Sequence, residues 1–426
     1  MVVLKAGIPG LKHSITLYNV IFLIKCMIMA IMGKIKNSQS NEVIDFMFVL
    51  PGVTFHPSGG YKVVYAISSK LSEIGYNVGI LFIRDIYDIL YRKTKNPLLK
   101  MYSTQDRPHL RIFSKIANYS LSYKFLPMFR RIFKVNFVEQ INNVKIYFSK
   151  GFIPNLIIKR LVANGWETAY LVNDFPNFIE KYNFIQQEDD DWACNGALST
   201  FAGETYKFAL KKIVINEEMR KRFSLEPAYR IRIGIEKSKF PLKISIEERV
   251  NNSVLIPLRK GQYKGAQNAI ETMKLLKQII KDIRITCFGN YKGNDIPSFV
   301  DHKGVVSDED LVLLYNNASI FFLPSVIEGT PLTPLEAMNC GTAVVSTDNK
   351  GIREYLNDKE NGLIIPINNP TQAVEAIVSL IENPTKRITI AKAGFKTASL
   401  LNYDLMTSDF IEAIKSYEMT TLSRFS

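Results

Sequence analysis

The chain has 426 residues, of which 47% are hydrophobic and 22% charged, an ordinary globular composition long enough for two domains. It excludes disordered, collagen-like and disulfide-stapled proteins. The four cysteines lie far apart without a CxxC pair, and there are only four histidines. We therefore expect a reducing compartment and no metal site.

The net charge of +14 is concentrated in the first third of the chain. Residues 1–150 contain 21 Lys and Arg against 7 Asp and Glu, and residues 84–150 interleave this excess with aromatic side chains. Such a basic face favours an anionic partner, although a surface tuned for solubility also explains it. Nucleic-acid binding would leave the motifs of the second half unexplained, so we expect no nucleic-acid partner.

Residues 1–40 form a hydrophobic and basic leader. Its apolar run, 15–33, contains Asn19 and Lys25, and no small-residue cleavage site follows it. A central lysine costs a spanning helix about 2.5–3.5 kcal/mol. An interfacial or re-entrant helix fits best, with a spanning helix and a packed leader as alternatives, so the leader favours membrane contact.

Residues 41–235 predict a first α/β domain. Val43–Leu50 is a continuous apolar run typical of a buried parallel strand. Gly59 and Gly60 follow it as a turn, and a helical pattern then runs to Gly75, which suits a C-cap. Residues 77–83 predict the next strand, so the segment is a βαβ unit.

Two further strands are predicted later in this domain. Residues 168–172 suggest a short strand that ends at Asp174, and residues 212–216 suggest another. The polar segment 236–252 then suits a linker.

Residues 253–402 predict a second α/β domain, and residues 403–426 predict a C-terminal helix that packs back on the first domain. The alternating elements expected in the second domain are strands 254–258, 283–289, 320–324 and 343–347 and helices 266–280, 308–316 and 334–339. Two doubly wound α/β domains follow, with ligand at the carboxyl ends of the strands.

The segment 323–341 contains the strongest chemical signal. Glu328 lies in a loop after a strand, and Glu336 follows eight positions later at the start of a helix. A carboxylate beside a helix N-terminus suits a ribose diol close to an anion. Thr333, Pro334 and Glu336 also read as a capping box, in which Glu336 only stabilises its own helix.

Glu328 and Glu336 resemble the E-x7-E pattern of the large retaining glycosyltransferase family called group 1, or family 4. The resemblance is close over residues 254–375 and looser over 43–235. It implies a GT-B fold of two Rossmann-like domains that face each other across a cleft. It also implies that Glu328 contacts the donor sugar, that Glu336 holds the nucleotide ribose, and that Gly329, Thr330 and Leu332 line the donor site. Pro331 replaces a glycine of many members and lacks their backbone N–H.

Arg259 and Lys264 are similar to the family's cation pair for the donor diphosphate. Fixed cations stabilise the charge of a departing nucleoside diphosphate without a metal. Two ordinary surface cations are the alternative. Gly59 and Gly60 match a family glycine pair that lets backbone amides approach the donor, or they form a plain turn.

The segment before Asp174 lacks the histidine of many relatives and resembles the rhamnosyltransferase-type branch. Asp174 then orients an acceptor hydroxyl or acts as a base, or it merely caps a turn.

The predicted function is glycosyl transfer from a nucleotide-diphosphate sugar to a glycan or lipid-linked acceptor in bacterial surface polysaccharide synthesis. The resemblance implies a retaining, metal-independent hexosyltransferase with no cofactor. The basic, aromatic first third and the leader predict a cytoplasmic protein, peripheral at the inner, anionic face of the plasma membrane. The alternatives are a non-catalytic glycosyltransferase-like binding subunit and a sugar-nucleotide epimerase of the same fold.

Overall fold

The computed structural model describes residues 33–34, 42–52, 58–83, 86–95, 97, 99, 119–121, 141, 143–149, 156–175, 179–188, 198–223 and 227–422. The chain divides into two compact units: Met1–Asn183 with Glu204–Leu210, and Phe184–Gly203 with Lys211–Ser426. The predicted leader, apart from residues 33–34, and most of the basic stretch 84–150 lie outside the described residues. The predicted domain limits at 235 and 252 stay predictions.

The first unit is built on a largely parallel sheet. Its described strands are β1 (Gly33–Lys34), β2 (Val43–Leu50), β3 (Val78–Ile83), β4 (Tyr119–Leu121), β5 (Lys145–Ser149), β6 (Ile157–Asn164) and β7 (Glu180–Ile185), the last two residues of which are assigned to the second unit. Its described helices are α1 (Gly59–Glu73), α2 (Ile86–Thr94) and α3 (Trp166–Asn173). The strand order is β1-β4-β5-β3-β2-β6-β7, in which β5, β3, β2 and β6 are parallel and β4 is antiparallel to β5.

The predicted βαβ unit is present as β2, α1 and β3. β2 and β3 are nearly or fully buried along their length because both faces of a parallel sheet are covered, which explains their continuous apolar runs. Gly75 follows α1 with a φ of +99°, and its N–H donates to the carbonyl of Ser72 at 3.1 Å. The glycine therefore ends the helix as predicted.

The predicted strand at 168–172 is wrong, because these residues belong to α3. The preceding Gly165 has a φ of +89°, which breaks the chain away from β6. The Thr168 hydroxyl accepts from the N–H of Asn164 at 2.8 Å and donates to the carbonyl of Gly165 at 3.1 Å. This local bonding closes a helical first turn in a segment whose aromatic and β-branched content suggests a strand.

The second unit contains a fully parallel sheet. Its described strands are β8 (Lys211–Val214), β9 (Ala228–Arg230), β10 (Ser253–Pro257), β11 (Arg284–Phe288), β12 (Asp301–His302), β13 (Ile320–Leu323), β14 (Ala343–Thr347) and β15 (Leu363–Ile365). β8 and β9 pair in parallel, and the other six strands follow the order β12-β11-β10-β13-β14-β15. All described pairings among these six are parallel.

The second unit also contains helices. The described ones are α4 (Ser199–Glu204), α5 (Glu217–Arg222), α6 (Ala266–Ile279), α7 (Asp308–Asn317), α8 (Leu332–Asn339), α9 (Pro370–Glu382), α10 (Pro384–Leu400) and α11 (Tyr403–Leu422). Alternate residues of β10 enter two hydrophobic clusters: Val254 and Ile256 pack with α6 and α9, whereas Leu255 packs with α7 and α8. The six-stranded sheet is therefore covered on both faces, as in a doubly wound fold.

The last helix, α11, packs on β8 and β9 within the second unit. The Tyr417 hydroxyl donates to the carbonyl of Lys212 at 2.8 Å and accepts from its N–H at 2.9 Å. Both strands fall in the region that the sequence assigned to the first domain. Among the described residues, no helix combines the length and hydropathy needed to cross a bilayer.

Candidate active site

The centre of the six-stranded sheet marks the place where a ligand is expected. β10 comes first along the chain, and β11 and β13 lie on its two sides. The loops that leave the carboxyl ends of β10 and β13 therefore diverge and open the crevice in which doubly wound sheets bind ligands. Arg259 follows β10, and Glu328 follows β13. The fold thus brings these two predicted residues to one edge.

Lys264 reaches the same edge through a tight turn. Gln262–Lys264 forms one turn of 3-10 helix, and Gly265 takes a φ of +68° before α6 begins. A Cβ atom at Gly265 would lie 1.9 Å from the carbonyl oxygen of Pro324. Only glycine lets the loop after β10 approach the loop after β13 this closely.

Lys264 and Glu328 form an ion pair at this edge. The Lys264 Nζ lies 2.9 and 3.0 Å from the two carboxylate oxygens, and the side chains are only 19% and 11% exposed. Burial lowers the pKa of Lys264 below its usual value by more than the attraction of Glu328 raises it. An ammonium group that is this poorly solvated gains stabilisation from a further anion, so the pair suits a site for an anionic ligand.

Glu336 lies on α8 and is 4% exposed. The hydroxyl of Tyr315 on α7, itself fully buried, donates to Oε2 of Glu336 at 2.9 Å. Burial and the charge of Glu336 raise the pKa of Tyr315 well above its usual value. The phenol therefore remains a donor at every accessible pH, and it fixes the orientation of the carboxylate.

The predicted capping box at the start of this helix is wrong. α8 begins at Leu332 with Pro331 as its N-cap, so Thr333 is inside the helix and is not its cap. Pro334 falls in the first turn, where its missing N–H removes no helical hydrogen bond. The carboxylate of Glu336 therefore meets Tyr315 from the second turn of the helix, and its burial reflects contacts with α7.

Arg259 lies beside the first turn of α8. Its Nη2 donates to the Oγ1 of Thr333 at 3.3 Å, and the guanidinium is half-buried. The positive charges of Arg259 and Lys264 therefore belong to the same loop after β10, close to a helix N-terminus. Within the described parts of the chain, no three His, Cys, Asp or Glu side chains are grouped so as to hold a metal ion.

Gly329, Thr330 and Leu332 connect Glu328 to α8. The carbonyl of Gly329 accepts from the Nδ2 of Asn216 at 2.8 Å, and the Thr330 hydroxyl donates to the carbonyl of Ile215 at 3.0 Å. Both partners follow β8 in the same unit. These bonds hold the backbone of the predicted donor-binding segment in place, and Leu332 begins the helix.

Three predicted residues lie in the first unit. Gly59 and Gly60 are the first residues of α1 after the N-cap Ser58, so they begin a helix instead of forming a separate turn. Asp174 is the C-cap of α3, and Lys93 Nζ donates to both of its carboxylate oxygens at 2.5 and 2.6 Å. The strand end that suggested an acceptor role for Asp174 is a helix end, and the role itself stays a prediction.

The sequence did not indicate the parts played by Arg249 and Tyr315. Arg249 is buried and donates to the carbonyls of Tyr315, Ala318 and Cys340, at the C-terminal ends of α7 and α8, and to the Thr342 hydroxyl. Burial lowers its pKa to about 10. Helix C-termini favour a cation, so Arg249 joins the two helices that carry the Tyr315–Glu336 bond.

A phenol on the apolar face of α7 is a signal that could have revealed Tyr315, because the hydroxyl of a buried tyrosine needs a hydrogen-bond partner.

Comparison with known proteins supports a functional site in the second unit. Residues 246–397 match the profile of the family described as glycosyl transferases group 1. This region of the chain belongs to that family. It contains Arg259, Lys264, Glu328 and Glu336, so all four side chains assembled at the sheet edge lie in the part that defines the group 1 glycosyltransferases.

Two curated proteins named as glycosyltransferases are similar to parts of the chain. The chain is 27% identical to the N,N'-diacetylbacillosaminyl-diphospho-undecaprenol alpha-1,3-N-acetylgalactosaminyltransferase of Campylobacter jejuni, over 61% of the chain and 64% of that protein. It is 30% identical to the amylovoran biosynthesis glycosyltransferase AmsK of Erwinia amylovora, over 34% of the chain and 40% of that protein. The chain therefore spans less than two thirds of either relative.

The solved structure of Anabaena HepE in complex with UDP-glucose is similar at the level of fold. The TM-score is 0.60 with 14% identity, and the match covers 88% of this chain and all of that one. The predicted fold class is confirmed: the chain has two Rossmann-like α/β units of the GT-B type. The predicted cleft between the domains stays a prediction.

Proposed function

We propose that the chain transfers a sugar from a nucleotide-diphosphate donor to a glycan or lipid-linked acceptor in bacterial surface polysaccharide synthesis. The observation that carries this proposal is the Lys264–Glu328 ion pair at the strand-order switch of the second sheet, with the buried Glu336 one helix turn inside α8. Crevices of this kind bind nucleotides in doubly wound sheets.

In this proposal, Arg259 and Lys264 bind the diphosphate of the donor. Negative charge develops on the diphosphate as the glycosidic bond to it breaks, and fixed cations stabilise that charge without reorganisation. Lys264 suits this task because its ammonium is poorly solvated and is shared with Glu328. We therefore propose that transfer requires no metal ion and no cofactor.

The carboxylates of Glu336 and Glu328 have different roles in this proposal. Glu336, which Tyr315 holds in one orientation, accepts hydrogen bonds from the two ribose hydroxyls of the nucleotide. Glu328 lies at the sheet edge next to the cation that meets the diphosphate, and it contacts the donor sugar. Retention of the donor's anomeric configuration is part of the proposal and rests on the resemblance of the E-x7-E pattern alone.

The acceptor is proposed to be lipid-linked. The Campylobacter relative is named for a diphospho-undecaprenol substrate, and the basic excess of residues 1–150 suits an anionic membrane surface. We accordingly place the chain in the cytoplasm at the inner face of the plasma membrane. Removing residues 1–36 should reduce its binding to anionic vesicles, and unchanged binding would contradict this placement.

The first test is thermal unfolding with a panel of nucleotide sugars in EDTA, including UDP-glucose, UDP-N-acetylgalactosamine and GDP-mannose. A ligand at a hundred times its Kd adds about 2.7 kcal/mol, which raises the Tm of a domain of this size by roughly 5–10 °C. Glu336→Ala should lose this shift, whereas Glu375→Ala, an exposed site on α9, should keep it.

Turnover is then measured with the donor that binds. NMR of the product reports the anomeric configuration, and hydrolysis or transfer in EDTA reports whether a metal is needed. If the folded chain binds no nucleotide sugar, the non-catalytic alternative replaces this proposal. Interconversion of two free nucleotide sugars would instead indicate an epimerase.

A further inference from the structure

Lys350 has a backbone conformation that a lysine rarely adopts. It follows β14 with a φ of +66° and a ψ of −66°. The Cβ atom of an L-residue crowds the backbone at positive φ, whereas glycine adopts such angles without strain. Strain of this kind persists where the surrounding structure enforces it, and it is concentrated at functional sites.

The loop that contains Lys350 is in direct backbone contact with Glu328. Lys350 and Glu328 form an isolated parallel bridge, and the N–H of Glu328 donates to the carbonyl of Asn349 at 3.2 Å. A Cβ atom at Gly351 would lie 1.9 Å from the carbonyl oxygen of Gly329. The position of the loop after β14 therefore sets the position of the Glu328 backbone.

A third segment packs on the other side of the same residues. A Cβ atom at Gly329 would lie 2.1 Å from the carbonyl oxygen of Gln186, so these two backbones also touch. The Nζ of Lys350 lies 2.7 Å from the Oε2 of Glu188, whose side chain is 12% exposed. This ion pair connects the segment at 186–188 to the loop after β14, and the backbone of Glu328 and Gly329 contacts both.

We propose that Lys350 is a positioning residue for Glu328 in glycosyl transfer, acting through its ion pair with Glu188. The pair holds the two flanking segments against the Glu328–Gly329 backbone, and this keeps the carboxylate directed at Lys264. The inference rests on the function proposed above and deepens it. It also explains why a lysine occupies a position where glycine would be free of strain.

The test compares Lys350→Gly with Lys359→Gly. Lys359 is exposed in a turn of the same unit and also has a positive φ, +65°, so its replacement by glycine likewise removes a Cβ atom at positive φ and adds the same freedom to the unfolded chain. Both variants should have similar Tm values. Lys350→Gly should lower kcat by tenfold or more with a donor KM within twofold of wild type, because a displaced reacting group costs rate. Lys359→Gly should keep full activity.

Two further variants complete the design. Lys350→Arg keeps the cation and should restore kcat to within about threefold. Glu188→Gln should reproduce the loss seen with Lys350→Gly, and the double variant should be no worse than either, as expected of two groups that act as a unit.

The outcomes separate this inference from the proposed function. Normal turnover by Lys350→Gly would overturn the inference alone. A raised donor KM at unchanged kcat would also overturn it, because Lys350 would then contact the donor itself. If the Tm of Lys350→Gly were far below that of Lys359→Gly, the ion pair between Lys350 and Glu188 would stabilise the fold and would not position Glu328. A wild-type chain that neither binds nor turns over any nucleotide sugar would refute the proposed function, and the inference with it.

Discussion

Removing the Lys264–Glu328 pair as a whole should cost less stability than removing either partner. The two charges lie 2.9 Å apart, and at an effective dielectric constant of about 20 their gross attraction is about 6 kcal/mol. The side chains are 19% and 11% exposed, and removing two such charges from water costs several kcal/mol for each ion. The net contribution of the pair to folding is therefore small.

A single replacement leaves the other charge without its partner. We expect Lys264→Met and Glu328→Gln each to lower the free energy of unfolding by about 2 kcal/mol, or roughly 4–8 °C in Tm. The double variant should lose only about 1 kcal/mol, so the coupling is about 3 kcal/mol. Denaturant unfolding of all four proteins measures this cycle. Additive losses would show that the two side chains do not interact in solution and would refute the reasoning.

The same pair makes a prediction about pH. The pKa of Lys264 is lower in the folded chain than in the unfolded chain, where it is about 10.5. Between these two values the unfolded state binds more protons, so this group makes the free energy of unfolding rise as pH increases. The Tm of wild type, measured relative to that of Lys264→Met, should therefore increase as pH rises towards 10.5. A pH-independent difference would contradict the lowered pKa.

Three further predictions concern the buried surroundings of the site. Arg249→Met should lower the free energy of unfolding by about 3 kcal/mol in denaturant titration, because several buried carbonyls lose their donor. Tyr315→Phe should weaken nucleotide binding, measured by calorimetry, by roughly tenfold, since a hydrogen bond to a charged group contributes about 1.5–3 kcal/mol and here orients Glu336. Peptide mapping after alkylation at pH 8 should find Cys287 and Cys340 unmodified in the folded chain, because burial raises the pKa of both thiols, that of Cys340 to about 12.

Much of the second unit could be predicted from the sequence because its strands are continuous apolar runs. Strand 343–347 was predicted residue for residue, and β10 differs from its prediction by one residue at each end. Parallel strands covered on both faces leave little room for another interpretation. The glycines at 261 and 265 mark the tight loop that carries Lys264, and both have positive φ. The edge of the sheet was therefore predictable from pattern, whereas the roles expected of Arg259, Lys264 and Glu328 there came from the family resemblance.

The first unit was harder to predict for a physical reason. α3 has only eight residues, and its sequence WETAYLVN is rich in residues that favour strands. Its helix depends on Gly165, which turns the chain, and on Thr168, which bonds back to the preceding turn. Short helices gain most of their stability from tertiary packing, and Trp166, Ala169 and Tyr170 are all buried. No periodicity in the sequence reports such contacts.

The E-x7-E spacing does not predict the partners of its two glutamates. Both were predicted as cleft carboxylates, and the alternative for Glu336 was a helix cap. The structure gives Glu336 a buried phenol donor on a neighbouring helix, whereas Glu328 has a partly exposed ammonium partner on a loop. A carboxylate fixed by a neutral donor suits recognition of an uncharged diol. In the proposed reaction, the cation that is paired with Glu328 is shared with the incoming diphosphate, and Glu328 then changes its contacts. The proposed division of roles between the two residues rests on what each one contacts, and those contacts come from α7 and from the loop after β10, both outside the motif.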